Sequence, residues 1–205
     1  MSAATIQVTP PDNNKRTPWV LPLEADRGDY AMWLVVLTEA FLFISLFFSY
    51  FFLAMGKDRW KFEEPPKLHF ALPMLVILFI SSLVLHWGEK QVKKERYGRG
   101  RAAIVGTILI GLVFLTLQAL EYKEHWKTLT PYSNSYGSIF YTITTFHAAH
   151  LIVGLLILAY VLALPKYAPT DRSPYKPYHV GSLYWHFVDV VWFFIVAILY
   201  VGPRL

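Results

Sequence analysis

Cysteine is absent from the 205 residues of this chain. Its absence excludes disulfide bonds, thiolate metal sites and iron–sulfur clusters, because each of them needs cysteine sulfur. Charged residues are scarce as well, at 16% of the chain against about a quarter in soluble domains. Hydrophobic residues make up 55% and aromatic residues 17%. These proportions indicate an integral membrane protein.

The net charge of +5 lies in the segments between the apolar stretches and forms no basic stripe. We therefore interpret it as a signal of membrane orientation, and nucleic acid is not an expected partner. Residues 1–29 are polar, contain four prolines and have no long apolar run. This composition predicts a polar tail and not a cleavable signal peptide.

Five apolar stretches are long enough to cross a bilayer, since about 20 helical residues rising about 1.5 Å each match a hydrocarbon core of about 30 Å. We predict transmembrane helices at residues 30–55, 68–87, 102–121, 137–164 and 181–201. Residues 88–101 are the most basic stretch and are expected to form a loop. The expected fold is an all-α integral membrane bundle of five helices, occupying residues 30–205 after the tail.

Lysine and arginine counts predict the orientation of this bundle. With the N-terminus in the cytoplasm, the cytoplasmic segments hold twelve of these residues and the external segments hold seven. Because basic residues are enriched in cytoplasmic segments, we predict a cytoplasmic N-terminus and a periplasmic C-terminus.

Several ionisable residues lie inside the predicted spans, where each is a candidate functional residue. His186 and Asp189 are three residues apart in the last span, so we expect them to share a hydrogen bond. Glu39 in the first span has no basic residue within a helical turn. Either it is protonated or a group on another helix or a lipid meets it. His147 and His150 form an H-x-x-H pair on one face of the fourth span.

Three interpretations of these buried polar residues are open. Histidines could bind haem or a metal, although two residues three apart on one helix cannot both be axial ligands of one haem. Carboxylates and histidines could also relay protons. The third interpretation is structural, with polar side chains that hydrogen-bond between helices. The structural interpretation is favoured for most of them, and Glu121 near the end of the third span is expected to be a solvated residue at the interface.

The last span carries the run YWHFVDVVW at residues 184–192, and other motifs precede it in order. They are Thr38-Glu39-Ala40, Gln118-x-x-Glu121-Tyr122, Gly137-Ser138 leading through Thr145-Phe146-His147-Ala148-Ala149-His150 to Gly154, and His179 before Gly181. On these motifs the chain resembles subunit III of the haem–copper terminal oxidases, typified by cytochrome c oxidase. The resemblance runs from about residue 30 to the end.

This resemblance implies a subunit of an oxidoreductase complex that has no catalytic centre, metal or other cofactor of its own. Haem and copper would belong to partner subunits: subunit I reduces oxygen, and the copper-bearing subunit II receives electrons from cytochrome c. Family members support subunit I, sustain proton uptake and bind phospholipid. The resemblance also implies the bacterial inner membrane, with the small subunits of the same complex as further partners.

The chain departs from the long form of the family by having five spans instead of seven. It lacks the first two helices, as short bacterial members do, and the loss of two spans leaves the predicted orientation unchanged. In the long form those two helices flank a lipid-filled cleft, so the cleft is not carried over in full.

The resemblance and the buried polar residues together define the candidate site. We expect one polar cluster inside the bundle, made of Glu39, His147, His150, His186 and Asp189. Further residues of the family motifs are Gln118, Glu121, Tyr122, His179, Trp185 and Trp192. Subunit III of a quinol oxidase and the related accessory protein of nitric oxide reduction fit the same motifs. A small membrane haem protein or a proton-coupled carrier is the alternative from a different class.

Overall fold

The structure, a computed structural model, describes residues 27–55, 68–126, 129–164 and 175–204. These residues form five α-helices, and no strand occurs among them. The helices are Arg27–Ala54 (α1), Leu68–Lys93 (α2), Tyr97–His125 (α3), Ser135–Ala163 (α4) and Tyr175–Ile195 (α5). A π-helical turn, Val196–Val201, and a 3₁₀ turn, Gly202–Arg204, continue α5. The predicted all-α membrane class is confirmed.

All five helices are long and apolar enough to cross a membrane, with spans of 26 to 29 residues. The chain is therefore a multi-pass membrane protein. Each helix begins at or before the residue that the sequence predicted. Most of the predicted polar tail lies outside the described residues, and the direction of insertion stays a prediction.

The expected loop at residues 88–101 is wrong, because most of it is helical. Helix α2 runs to Lys93 and α3 begins at Tyr97, so only residues 94–96 form the turn. Lysine, glutamine and glutamate favour helix even where they are polar enough for a loop. Gly88 and Gly100 add close packing, since a Cβ at Gly88 would clash with Tyr178.

Trp185 at the centre of α5 holds the bundle together. Its side chain is fully buried. A Cβ at Gly111 of α3 would lie 2.8 Å from the indole ring, and one at Gly154 of α4 would lie 3.1 Å from it. The indole nitrogen donates a 3.0 Å hydrogen bond to Ser81 Oγ of α2. One side chain thus contacts three other helices, which explains why two glycines face it.

Helix α1 lies at the edge of the bundle, against α4 and α5. Phe43 and Tyr50 are its buried apolar contacts. Its other face exposes large apolar side chains, including Leu34, Phe48 and Phe52, each with more than half of its surface accessible. Such a face needs to be covered by lipid or by an apolar protein surface.

The π-helical turn at the end of α5 also positions a polar group. Single π-turns inside α-helices are rare and often occur at functional sites. In this turn Tyr200 is fully buried. Its hydroxyl reaches Glu121 of α3, and Tyr136 of α4 donates a 2.8 Å hydrogen bond to the Leu199 carbonyl. The turn therefore ties the end of α5 to both neighbouring helices.

Candidate functional site

Glu39 of α1 is met by His150 of α4, with 2.8 Å between Glu39 Oε2 and His150 Nε2. The other ring nitrogen, His150 Nδ1, lies 2.6 Å from the Phe146 carbonyl. A carbonyl only accepts, so Nδ1 carries a hydrogen. The Glu39–His150 contact therefore holds one shared proton, either on the histidine of an ion pair or on the carboxyl of a neutral pair. The partner on another helix that the sequence suggested for Glu39 is therefore observed, and it is His150.

This pair lies at the lipid-facing edge of the bundle. The Glu39 side chain is 31% exposed and the His150 side chain is 14% exposed. The ring of Phe43 covers the inner side, with its centroid 5.0 Å from that of His150. A proton held here is thus close to the surface of the protein and separated from its centre by an aromatic ring.

His147 lies deeper, surrounded by aromatic rings. It is fully buried, and its ring centroid is 4.9 Å from that of Trp192 and 5.8 Å from that of Phe114. Neither of its nitrogens makes a hydrogen bond within the described residues. The Trp192 indole nitrogen is likewise buried without a hydrogen-bond partner. His147 and Trp192 therefore form an aromatic layer with no hydrogen bond to the Glu39–His150 pair.

The expected hydrogen bond between His186 and Asp189 is wrong. His186 bonds through Nδ1 to Ser82 Oγ of α2 and through Nε2 to Ser182 Oγ at 3.1 Å. Both oxygens of Asp189 are buried, and neither makes a hydrogen bond to another described residue. A helical side chain points back toward the N-terminus, so His186 turns toward Ser182 and away from Asp189.

Glu89 near the end of α2 is a polar centre that the sequence interpretation missed. Its Oε1 accepts hydrogen bonds from the Tyr175 hydroxyl and from His179 Nδ1, each at 2.9 Å. Lys93 Nζ lies 3.8 Å from the same oxygen, and Ser182 Oγ lies 3.4 Å from Oε2. The family-motif residue His179 therefore acts as a partner of this carboxylate.

Glu121 of α3 is buried and not solvated, so the expectation of an interfacial residue is wrong. The side chain is 0% exposed. Gln118 Nε2 donates to Oε2 at 3.0 Å, and the Tyr200 hydroxyl donates to Oε1 at 2.9 Å. Tyr122 turns the other way and bonds to the hydroxyls of Thr144 at 2.7 Å and Thr145 at 3.1 Å. The π-turn brings Tyr200 to a partner that no helical periodicity of α5 indicates.

The five residues expected in one cluster are divided among separate groups. Glu39 and His150 pair directly, His147 lies among aromatic rings, and His186 belongs to a network between α2 and α5 that also contains Glu89. Two signals in the sequence point to that network. Ser81-Ser82 interrupts an apolar span, and Ser182 precedes His186 by four residues, one helical turn.

Chemically, these groups can hold and exchange protons and can fix neighbouring helices. Among the described residues, no three His, Asp or Glu side chains come together in a way that could hold a metal ion. The absence of a cofactor in this chain stays a prediction. A separate cavity of about 330 Å³ lies where α3 ends and α4 begins. It is lined by Tyr122, Lys123, Trp126, Pro131, Tyr141 and Thr145.

Comparisons with known proteins identify the family to which the chain is similar. The family described as "Cytochrome c oxidase subunit III" matches residues 25–203, a range that includes all five helices. Cytochrome c oxidase subunit 3 of Aedes aegypti is 30% identical over 179 residues, covering 83% of this chain and 68% of the relative. The protein of that name from the cyanobacterium Synechocystis sp. is 31% identical over 170 residues, covering 82% and 72%. The chain belongs to the cytochrome c oxidase subunit III family.

Proposed function

We propose that this chain is the non-redox subunit III of a haem–copper terminal oxidase of the cytochrome c oxidase type. The observation that carries the proposal is the family match over residues 25–203, which spans the complete bundle. Family membership makes the chain a subunit of an oxidoreductase complex. In the proposed role, subunit I is its direct partner, and subunit II and the small subunits complete the complex.

The chain's own contribution would be mechanical and electrostatic. Trp185 and its two facing glycines make the inner four helices a tightly packed unit. Helix α1 adds an apolar outer face and the Glu39–His150 pair at its edge. Such a body supports an apolar partner subunit in the bilayer and places a shared proton beside it, which suits a subunit that sustains proton uptake.

Phospholipid is the second proposed partner. The cavity where α3 ends and α4 begins combines Lys123 with the rings of Trp126 and Tyr141, whose centroids lie 5.9 Å apart. Aromatic side chains favour the membrane interface, and lysine attracts phosphate. Lys123→Gln should lower the amount of phospholipid that is retained by the purified chain, as measured by mass spectrometry after delipidation.

The bacterial inner membrane is the proposed location, with the N-terminus in the cytoplasm. The count of basic residues supports this orientation. Helix α2 ends in Lys90 and Lys93, at the end of the bundle that this orientation places in the cytoplasm.

A tagged chain extracted from its own membranes in mild detergent tests the proposal. We expect a larger subunit containing haem and copper to co-purify, and we expect this chain to show no visible absorption once it is separated. Activity with cytochrome c identifies the proposed oxidase, while activity with quinol alone, or with nitric oxide, assigns the chain to one of the two related complexes. A chain that is coloured on its own would overturn the proposal.

A further inference from the structure

One face of α2 changes from apolar to aromatic to basic as the helix approaches its end at Lys93. Positions spaced three or four apart share a helical face. The exposed residues on this face follow one another in the order Leu72, Val76, Phe79, Leu83, Trp87 and Lys90. The first five are between 48% and 64% exposed. The face is therefore open along its whole length and has a cation at one end.

The length of this face fixes the depth of its basic end. The exposed His69 begins the face, and Lys90 is 21 positions further along α2. At about 1.5 Å for each residue this separation is about 32 Å, close to the thickness of a hydrocarbon core of about 30 Å. Trp87 is an independent marker of depth, because tryptophan favours the level of the lipid headgroups. Lys90 therefore lies at the level of the phosphates of one leaflet.

The turn after α2 adds further cations near this level. Residues 90–101 contain six basic side chains, which are Lys90, Lys93, Lys94, Arg96, Arg99 and Arg101. Two of the six are engaged within the chain. Lys93 Nζ lies 3.8 Å from Glu89 Oε1 and 4.8 Å from the centre of the Tyr175 ring. Arg101 donates a 3.3 Å hydrogen bond to the Leu164 carbonyl at the end of α4.

The other four cations are exposed and make no ion pair with another residue of the described ranges. They are Lys90, Lys94, Arg96 and Arg99. Their backbone is nevertheless fixed, because the amides of Lys94 and Arg96 both donate to the Gln91 carbonyl, at 3.1 and 2.9 Å. Glu95 is the one acidic residue of the turn. The turn thus presents four cations and one carboxylate on a hydrogen-bonded frame.

A phospholipid has its chemical groups in the same order as this face. Apolar chains suit the part around Phe79 and Leu83, the region next to the headgroup suits Trp87, and a phosphate suits Lys90. The Cα atoms of Lys94 and Arg96 are at most about 7 Å apart, so their charges act on one headgroup within a Debye length of about 8 Å. An acidic segment of a protein would match the cations but not the apolar and aromatic residues that precede them.

We propose that this face of α2 binds an anionic phospholipid, with its acyl chains along Phe79 and Leu83 and its phosphate held by Lys90 and Lys94. An anionic headgroup fits better than a zwitterionic one, because the latter brings a cation of its own to a site with excess positive charge. The site lies near the start of α3, whereas the cavity beside Lys123 lies near its end. The inference rests on insertion of the helices in a membrane and does not depend on which oxidase the chain serves.

Titration of the purified full chain in detergent with phosphatidylglycerol that carries brominated acyl chains tests this proposal. Bromine quenches the fluorescence of a tryptophan that it contacts. The part of the quenching that Trp87→Phe abolishes therefore reports lipid on this face of α2. Phosphatidylcholine with the same brominated chains measures the effect of headgroup charge, and we expect it to bind more weakly than phosphatidylglycerol.

Lys90→Gln combined with Lys94→Gln should weaken the apparent affinity for phosphatidylglycerol about 25-fold, since each basic residue beside an anionic lipid surface contributes a factor of about five. Lys90→Arg combined with Lys94→Arg keeps both charges and should bind like the wild type. Lys93→Gln is the matched control. It removes the same charge from the same helical turn, but Lys93 is already engaged by Glu89 and Tyr175, so the affinity should stay nearly unchanged.

Equal weakening by Lys93→Gln and by Lys90→Gln alone would show a general effect of net charge and would overturn the proposal. Equal affinities for the two lipids, or quenching that does not depend on Trp87, would overturn it as well. If the double glutamine variant binds lipid normally but retains less of a co-purifying subunit, the cations meet a protein and the proposal is wrong. Lys123→Gln should leave the Trp87-dependent quenching unchanged, which separates this site from the cavity near the end of α3.

Discussion

At the scale of single residues, the bundle contains two buried tryptophans that differ in their hydrogen bonding. The Trp185 indole nitrogen donates to Ser81 Oγ, whereas the Trp192 indole nitrogen has no hydrogen-bond partner in the part of the chain that the structure describes. Both side chains are fully buried, and both have aromatic or glycine neighbours. A comparison of the two sites therefore separates the contribution of a hydrogen bond to stability from the contribution of ring packing.

Trp185→Phe should lower the free energy of unfolding by about 1 kcal/mol more than Trp192→Phe does, because only the first change removes a hydrogen bond. Thermal unfolding of the purified chain in one detergent measures both. Each change removes a similar volume, so Trp192→Phe serves as the matched control. A larger loss at Trp192 would contradict the assigned hydrogen bond.

The partners of His186 give a second prediction at this scale. Ser82→Ala removes the hydrogen bond at Nδ1 and should cost about 1 to 3 kcal/mol, the range for a buried polar group left without its partner. Asp189→Asn keeps the shape of a protonated carboxyl and should cost much less. Chemical unfolding in mixed micelles compares the two variants. If Asp189→Asn is the more damaging, His186 pairs with Asp189 after all.

At the scale of helices, the turn between α2 and α3 contains the one strained position among the described non-glycine residues. Glu95 has φ of 59°, in the left-handed region, and its amide donates a 2.9 Å hydrogen bond to the Val92 carbonyl as α2 ends. Glycine usually occupies such a position because a Cβ is disfavoured there. The turn is thus short, and a residue better suited to the left-handed region at position 95 should stabilise it.

Glu95→Gly should raise the free energy of unfolding by up to about 1 kcal/mol, since it relieves the strain at a helix C-terminus. Lys94→Gly is the control in the same turn; Lys94 has a negative φ, so glycine there adds only flexibility and should not stabilise. Thermal unfolding of both variants is the measurement. Stabilisation by Lys94→Gly but not by Glu95→Gly would contradict the assignment of the strain to Glu95.

The sequence predicted the five helices because long apolar stretches have few alternatives in a membrane. It did not predict the short turn at residues 94–96, since glycine packing between Gly88, Tyr178 and Ala103 is a tertiary contact. For Glu39 the sequence suggested either a proton or some partner outside its own helix, but it did not identify His150 as that partner. The π-turn that brings Tyr200 to Glu121 leaves no mark in periodicity.

At the scale of the whole molecule, the polar groups are arranged around an inner packed unit. The Glu39–His150 pair lies at the edge formed by α1 and α4. The network that joins Glu89, Ser182 and His186 to Ser82 lies between α2 and α5. Their separation means that each can be changed without the other. It also means that loss of either one should leave the packing around Trp185 intact.

Glu39→Gln should assemble normally, because glutamine can still hydrogen-bond to His150, but it cannot share a proton as a carboxyl does. We expect the complex to begin turnover at the wild-type rate and to inactivate at a different rate. The measurement is oxygen consumption followed over many turnovers. Ser45→Ala on the same helix is the control, because the Ser45 hydroxyl donates to the Phe41 carbonyl of its own helix and takes no part in the Glu39–His150 contact. Failure of Glu39→Gln to assemble would show that the pair is structural.

The measurement that tests the central claim most directly is oxygen consumption by the purified complex, before this chain is stripped away, after stripping, and after the chain is added back. The account predicts that stripping leaves the visible spectrum and the initial rate nearly unchanged, shortens the time for which turnover lasts, and is reversed by adding the chain back. Loss of the haem spectrum with the chain, or a turnover lifetime that is indifferent to its presence, would contradict the account.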